Sequence, residues 1–161
     1  MVEINNLTTS SVEEEFLKRV AEIVLKGENK EKADLSIVLV GQGRMRKLNR
    51  KYRSKNRVTD VLAFGQNQKF HSVPKQSLVR SKKIKNQKFP ILPKNELGLG
   101  EAVICLREVK KNAKKYNSTF EKELGRVLIH GILHLSGYDH EKSEVGAKKM
   151  AEREQYYLSQ I

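Results

Sequence analysis

The chain has 161 residues, and a hydrophobic content of 38% is enough for one modest core. This length argues against a two-domain enzyme, so we expect residues 1–161 to form a single domain. Lys and Arg number 32 against 19 Asp and Glu, a formal net charge of +13, which makes nucleic acid the favoured class of partner.

Periodicity and turn residues predict four strands and five helices around a basic insertion. Two helices are expected to begin at capping-box patterns, Ser11-x-x-Glu14 and Ser118-x-x-Glu121. In chain order, the predicted elements are a strand at residues 1–5, a helix at 11–27, a strand at 33–40, a basic helix at 44–53, a strand at 59–65, a strand at 98–106, and helices at 107–116, 118–137 and 143–158. The predicted fold class is α+β, with one mixed sheet of about four strands packed against helices.

The insertion, at about residues 66–95, concentrates the positive charge. It contains eight Lys and Arg residues, no acidic residue and all three prolines of the chain. Because proline disfavours a helix or a central strand, we interpret the segment as a long basic loop or an extended hairpin. Two roles are open for it: a solvated insertion, or an arm that binds phosphate groups.

The single cysteine, Cys105, excludes an intrachain disulfide and a cysteine-based zinc or iron-sulfur site. Any metal must then be held by histidines and carboxylates. The first residues lack the pattern of a signal peptide, and no apolar run is long enough for a transmembrane helix. We therefore expect a soluble, cytoplasmic protein that does not contact a membrane.

Three of the four histidines, His130, His134 and His140, lie within eleven residues. The first two share one helical face, and Gly137 lets the chain turn so that His140 returns toward them. Three imidazoles with an open fourth position describe a catalytic zinc site, placed as in zinc hydrolases on a C-terminal helix and turn. The spacing matches the metal-binding positions of metzincin peptidases, but Gly131 stands where they carry a catalytic glutamate. Peptide hydrolysis is therefore disfavoured.

The segment HGILHLSGYDH closely resembles the H-G-x-L-H-L-x-G-Y-D-H signature of the YbeY family, bacterial metal-dependent endoribonucleases involved in ribosomal RNA maturation. Two further blocks are similar to family motifs, at residues 52–64 with Ala63 for the usual serine, and at residues 99–105 with Glu101 for aspartate. The resemblance implies a small α+β fold with a zinc site. It also implies cleavage of single-stranded RNA in 16S ribosomal RNA 3′-end maturation and ribosome quality control.

Carried over to this sequence, the family's metal ligands are His130, His134 and His140, and Arg53 matches an arginine proposed to act at the active site. Asp139, beside a ligand, is expected either to orient an imidazole or to transfer a proton. One zinc ion is the implied cofactor. Small-subunit ribosomal RNA is the implied partner, with ribosomal proteins or an assembly GTPase as candidate protein partners and no DNA specificity.

Two other functions remain open at this point. One is a non-catalytic RNA-binding factor for ribosome assembly in which zinc is structural. The other is a zinc hydrolase of another substrate, which would need a carboxylate base near the metal.

Overall fold

The computed structural model describes residues 1–65, 98–141 and 143–161. The predicted basic insertion at 66–95 therefore lies outside the described residues. Within the described ranges the chain forms four strands and five helices, in the predicted order. They are β1 (Val2–Asn6), α1 (Glu14–Gly27), β2 (Asp34–Val40), α2 (Gln42–Arg53), β3 (Val61–Gly65), β4 (Gly98–Cys105), α3 (Leu106–Lys115), α4 (Phe120–Leu135) and α5 (Glu144–Leu158).

The four strands form one mixed sheet, which confirms the predicted α+β fold. Its strand order is β1-β2-β4-β3. Strands β1, β2 and β4 run parallel, and β3 runs antiparallel to β4. The central strands β2 and β4 carry continuous buried runs, as expected for strands covered on both faces. Among the described strands, β3 lies at one edge of the sheet, next to the candidate site.

Each face of the sheet has its own hydrophobic core, because successive side chains of a strand point to opposite faces. The larger core packs α1, α3, α4 and α5 against one face. The smaller core packs α2 against the other face through Met45 and Leu48. Within the described part of the chain, α2 is thus the only helix on its face of the sheet.

The predicted start of α1 is wrong. The helix begins at Glu14 and not near Ser11, with Glu13 as its N-cap and no side-chain hydrogen bond to the cap. Val12, just before the cap, packs against the larger core. Burial of this apolar side chain fixes where the chain enters the helix, so no capping serine is needed.

The predicted cap of α4 is also wrong, by one residue. The N-cap is Thr119, whose side chain accepts a hydrogen bond from the N–H of Lys122 at 3.1 Å. Ser118 belongs instead to the end of α3, where its N–H donates to the carbonyl of Ala113 at 2.8 Å. Asn117, at a φ of +50°, provides the left-handed residue of this helix end.

Candidate metal centre and its cleft

Helix α4 carries the first two histidines of the candidate site. His130 and His134 lie one turn apart on the same face, and their ring centroids are 4.8 Å apart. Gly131 faces the sheet, where an added Cβ would lie 3.2 Å from Val61 Cγ2 and 3.5 Å from Ala102 Cβ. The missing side chain therefore lets α4 lie close to β3 and β4, which places both imidazoles beside the edge strand.

A tight turn after α4 brings the third histidine to this pair. Gly137 has a φ of +106°, and the N–H groups of Gly137 and Tyr138 each bond back to the last turn of α4 at 3.1 Å. This Schellman motif ends many helices and favours glycine. It places the ring centroid of His140 at 5.2 Å from that of His130 and 4.8 Å from that of His134.

The His140 turn is packed against α5. Ser143 caps this helix by accepting a hydrogen bond from the N–H of Gly146 at 3.0 Å. Gly146 also packs on the backbone of Asp139, so closely that an added Cβ would overlap the Asp139 carbonyl oxygen. Glycine at position 146 thus allows the turn that carries His140 to lie against α5.

The three histidines provide a donor set that fits one divalent transition-metal ion. Each offers one ring nitrogen, and these atoms all lie within 4.8 Å of one another. Burial lowers the pKa of His134, and the neighbouring His130 and His140 lower it further. The neutral imidazole, which is the form that binds metals, is therefore favoured. The residues present could hold a metal ion through three imidazoles.

Glu154 on α5 is a residue of the site that the sequence analysis did not name. Its Oε2 lies 3.1 Å from Nδ1 of His130, so the carboxylate can accept a hydrogen bond from Nδ1–H and leave Nε2 for a metal. Burial acts to raise the pKa of Glu154, but the contacts with His130 and Arg126 outweigh it and lower the pKa. A sequence signal was available, because Glu154 shares a helical face with Met150 and Tyr157, which are buried.

Arg126 on α4 connects this carboxylate to the cleft wall. Its guanidinium lies 2.7 Å from Glu123 Oε1, 3.4 Å from Glu154 Oε1 and 3.7 Å from Asp60 Oδ2. The hydrogen bond to Glu123 is the main cause of the raised pKa of Arg126, so this cation stays charged. Asp60 also accepts a hydrogen bond from the N–H of Val61 at 2.9 Å, which fixes it at the start of β3.

The histidines open into a cleft of about 710 Å³ beside β3, with walls from the end of α2, from β3 and from α4 and its turn. Arg53 and Asp139, the two predicted catalytic residues, also line it. The Arg53 guanidinium lies 3.3 Å from the carboxylate of Glu141, and Asp139 accepts a hydrogen bond from the N–H of Glu141 at 2.9 Å. All five predicted site residues thus border one cleft, while the roles of Arg53 and Asp139 stay predictions.

Known proteins are similar in sequence to this chain over most of its length. A family model described as Endoribonuclease YbeY matches residues 3–161. The chain belongs to the YbeY family. A relative named Endoribonuclease YbeY from Thermodesulfovibrio yellowstonii is 42% identical, over 79% of this chain and 66% of the relative. The YbeY relative from Thermotoga neapolitana is 35% identical, over 91% of this chain and 81% of the relative.

A solved structure has a similar fold. The solution structure of TM1509 from Thermotoga maritima matches with a TM-score of 0.61 and 32% identity, over 98% of this chain and 87% of that one. The α+β fold is therefore shared with that protein. No helix among the described residues is long and apolar enough to cross a membrane.

Proposed function

We propose that this chain is a cytoplasmic, zinc-dependent endoribonuclease, specific for single strands, that acts in 16S ribosomal RNA 3′-end maturation and ribosome quality control. One observation carries the proposal: three imidazoles that can share one ion lie in a cleft that also holds Arg53. The family match supplies the reaction class, since its members are endoribonucleases. The proposal treats residues 1–161 as one domain.

In this proposal His130, His134 and His140 hold a single zinc ion. A bound divalent ion would supply Lewis-acid stabilisation of charge on a phosphodiester or on the attacking oxygen. Glu154 keeps the His130 ring in one orientation and one tautomer through the contact at Nδ1. The protein thus fixes the direction of its ligand nitrogens before the substrate arrives.

Arg53 is proposed to neutralise the charge that develops on phosphorus in the transition state. A guanidinium suits this task because its planar fork can engage two phosphate oxygens. Its side chain is 45% exposed and paired with Glu141 at the rim of the cleft, and such an exposed pair is weak enough to exchange for a phosphate. Asp139, which lines the same cleft, is proposed either to orient an imidazole or to transfer a proton.

A hydrolase that uses a glutamate base as metzincin peptidases do is not favoured. Such a base would stand at position 131, where even a Cβ would already press on Val61. A glutamate side chain at that position would have to fit between α4 and the sheet, where Val61 and Ala102 already lie within 3.5 Å of the added Cβ. A non-catalytic RNA-binding factor is the remaining alternative, and cleavage separates it from the proposal.

The test is metal content by elemental analysis combined with cleavage of a single-stranded RNA, with and without a chelator. We expect His134→Ala to lose both stoichiometric zinc and cleavage. His71→Ala, which removes the one histidine outside the cluster, is the matched control and should retain both. The His134→Ala variant is purified in parallel with the wild-type protein, so that a contaminating ribonuclease would be detected. If this variant kept bound zinc and full cleavage, the proposal would be wrong.

A further inference from the structure

Residues 42–57, which comprise α2 and the turn after it, contain eight Lys and Arg residues and no acidic residue. The other described residues have 15 Lys and Arg against 18 Asp and Glu. The positive charge of the described structure is therefore concentrated in this one segment, which we call the α2 basic segment. A general requirement for solubility would not demand such separation of the two signs.

The cations of α2 point away from the sheet. Met45 and Leu48 fix the inward face of the helix in the smaller core. The opposite face exposes four cations: Arg46, Lys47, Arg50 and Lys51. In the described part of the chain none of these four has an ion pair with a carboxylate, and the one acidic partner of the segment is Glu141, which pairs with Arg53.

The exposed cations continue into the cleft. Arg46, Arg50 and Arg53 are spaced i, i+4 and i+7, so they share one side of α2 over about 10 Å of helix length. Arg53 then lines the cleft together with Lys55 and Arg57 from the following turn. A polyanion lying along this row of arginines would arrive at Arg53, on the wall of the cleft that the three histidines also line.

We propose that the α2 basic segment binds the phosphate backbone of single-stranded RNA and directs the strand into the histidine cleft. This inference rests on the proposed function, because it takes RNA as the substrate of that cleft. Guanidinium groups suit the task, since each can bind two phosphate oxygens in its plane. Contacts to the RNA backbone alone carry no information about the RNA sequence, so any preference for particular bases would arise elsewhere in the protein.

The test is the affinity of a fluorescent single-stranded RNA, measured by anisotropy with chelator present so that no cleavage occurs, over a series of salt concentrations. The variant is Arg46→Gln with Arg50→Gln, which removes two exposed charges and leaves Arg53 in place. The matched control is Arg19→Gln with Lys26→Gln, two exposed cations of α1 on the opposite side of the sheet. Thermal melting and zinc content verify that both proteins are folded.

Loss of two phosphate contacts should lower the slope of log affinity against log salt by about 1.4 and weaken binding about 20-fold at 0.1 M salt. The α1 control should change neither quantity appreciably. Equal RNA affinity of the α2 variant and the wild-type protein would overturn the inference. The α2 basic segment would then be a surface for an acidic partner other than RNA. Equal losses in the two variants would also overturn the inference, since they would indicate only an effect of net charge.

The two proposals fail in distinguishable ways. If the wild-type protein binds RNA through α2 but cleaves none with zinc present, the catalytic proposal fails and the docking surface stands. If it cleaves RNA and the α2 variant binds and cleaves as the wild type does, the docking surface fails and the catalytic proposal stands.

Discussion

Replacing Gly146 by Ala should move the His140 turn and so weaken the metal centre without unfolding the protein. Taken alone, alanine in a helix is more stable than glycine by about 0.5–1 kcal/mol. Here, however, the new methyl group would overlap the carbonyl oxygen of Asp139. The backbone at Asp139 must retreat by on the order of 1 Å to reach ordinary van der Waals separation.

That displacement is large on the scale of a metal site. Metal-ligand distances tolerate changes of only about 0.2 Å, and His140 directly follows the residue that must move. We therefore expect zinc affinity to fall on the order of 10–100-fold, as it does when groups that orient metal ligands are removed. Overpacking costs about 1–3 kcal/mol, so the free energy of unfolding of the metal-free protein should fall despite the gain in helix propensity.

The assay is competition for zinc with a chromophoric chelator, together with denaturant unfolding of the metal-free protein. Gly43→Ala is the matched control, because Gly43 also lies in the first turn of a helix and no atom lies within 4 Å of its added Cβ. That control should be more stable by about 0.5–1 kcal/mol with unchanged zinc affinity. If Gly146→Ala had the same effect as Gly43→Ala on zinc affinity and on the free energy of unfolding, this prediction would be wrong. The close packing of α5 on the His140 turn would then not position His140.

Two more substitutions and one deletion test other parts of the proposals. Glu154→Gln should lower zinc affinity on the order of 10–100-fold, measured by the same competition for zinc. An unchanged affinity would show that the contact of Glu154 with His130 Nδ1 does not orient the ring. The Arg53→Gln variant should keep its zinc and its melting temperature, since exposed ion pairs contribute at most about 1 kcal/mol to stability. It should, however, lose cleavage of a defined RNA. Unchanged turnover would remove Arg53 from the mechanism. Deletion of residues 68–94 should weaken RNA binding and flatten its salt dependence while zinc remains bound, and undiminished binding would make the segment a solvated insertion.

The order of the elements could be predicted because each has a strong local signal. The run at 34–40 is short and β-branched, and α2 shows its apolar stripe at helical spacing. The predicted start of α4 was wrong because a neighbouring element uses the same residue. Ser118 looks like an N-cap, but it is used to close α3, and that competition depends on the conformation of the preceding residue.

The clustering of the three histidines could also be predicted, because His130, His134 and the turn at Gly137 are close in sequence. Glu154 and Arg126 were missed for a different reason. Glu154 lies 24 residues after His130, and only the packing of α5 on α4 brings the two together. Charged residues on amphipathic helices are mostly solvated, so the position of Glu154 on the same face as Met150 and Tyr157 was too weak a signal to assign it to the site. The close approach at Gly146 likewise depends on tertiary packing.

The ligands of the candidate site come from two structural units, the α4 helix and the turn that packs on α5. An ion that binds only when both are in place must, by thermodynamic linkage, stabilise their docking, by about 2.7 kcal/mol when its concentration is 100 times its dissociation constant. The opposite end of α5 is already anchored, since Arg153 and Tyr157 both bond to Glu28 beyond the end of α1. Metal binding would thus hold the N-terminal end of α5, through the His140 turn, against α4. Amide hydrogen exchange in the first turns of α5 would then report zinc occupancy directly.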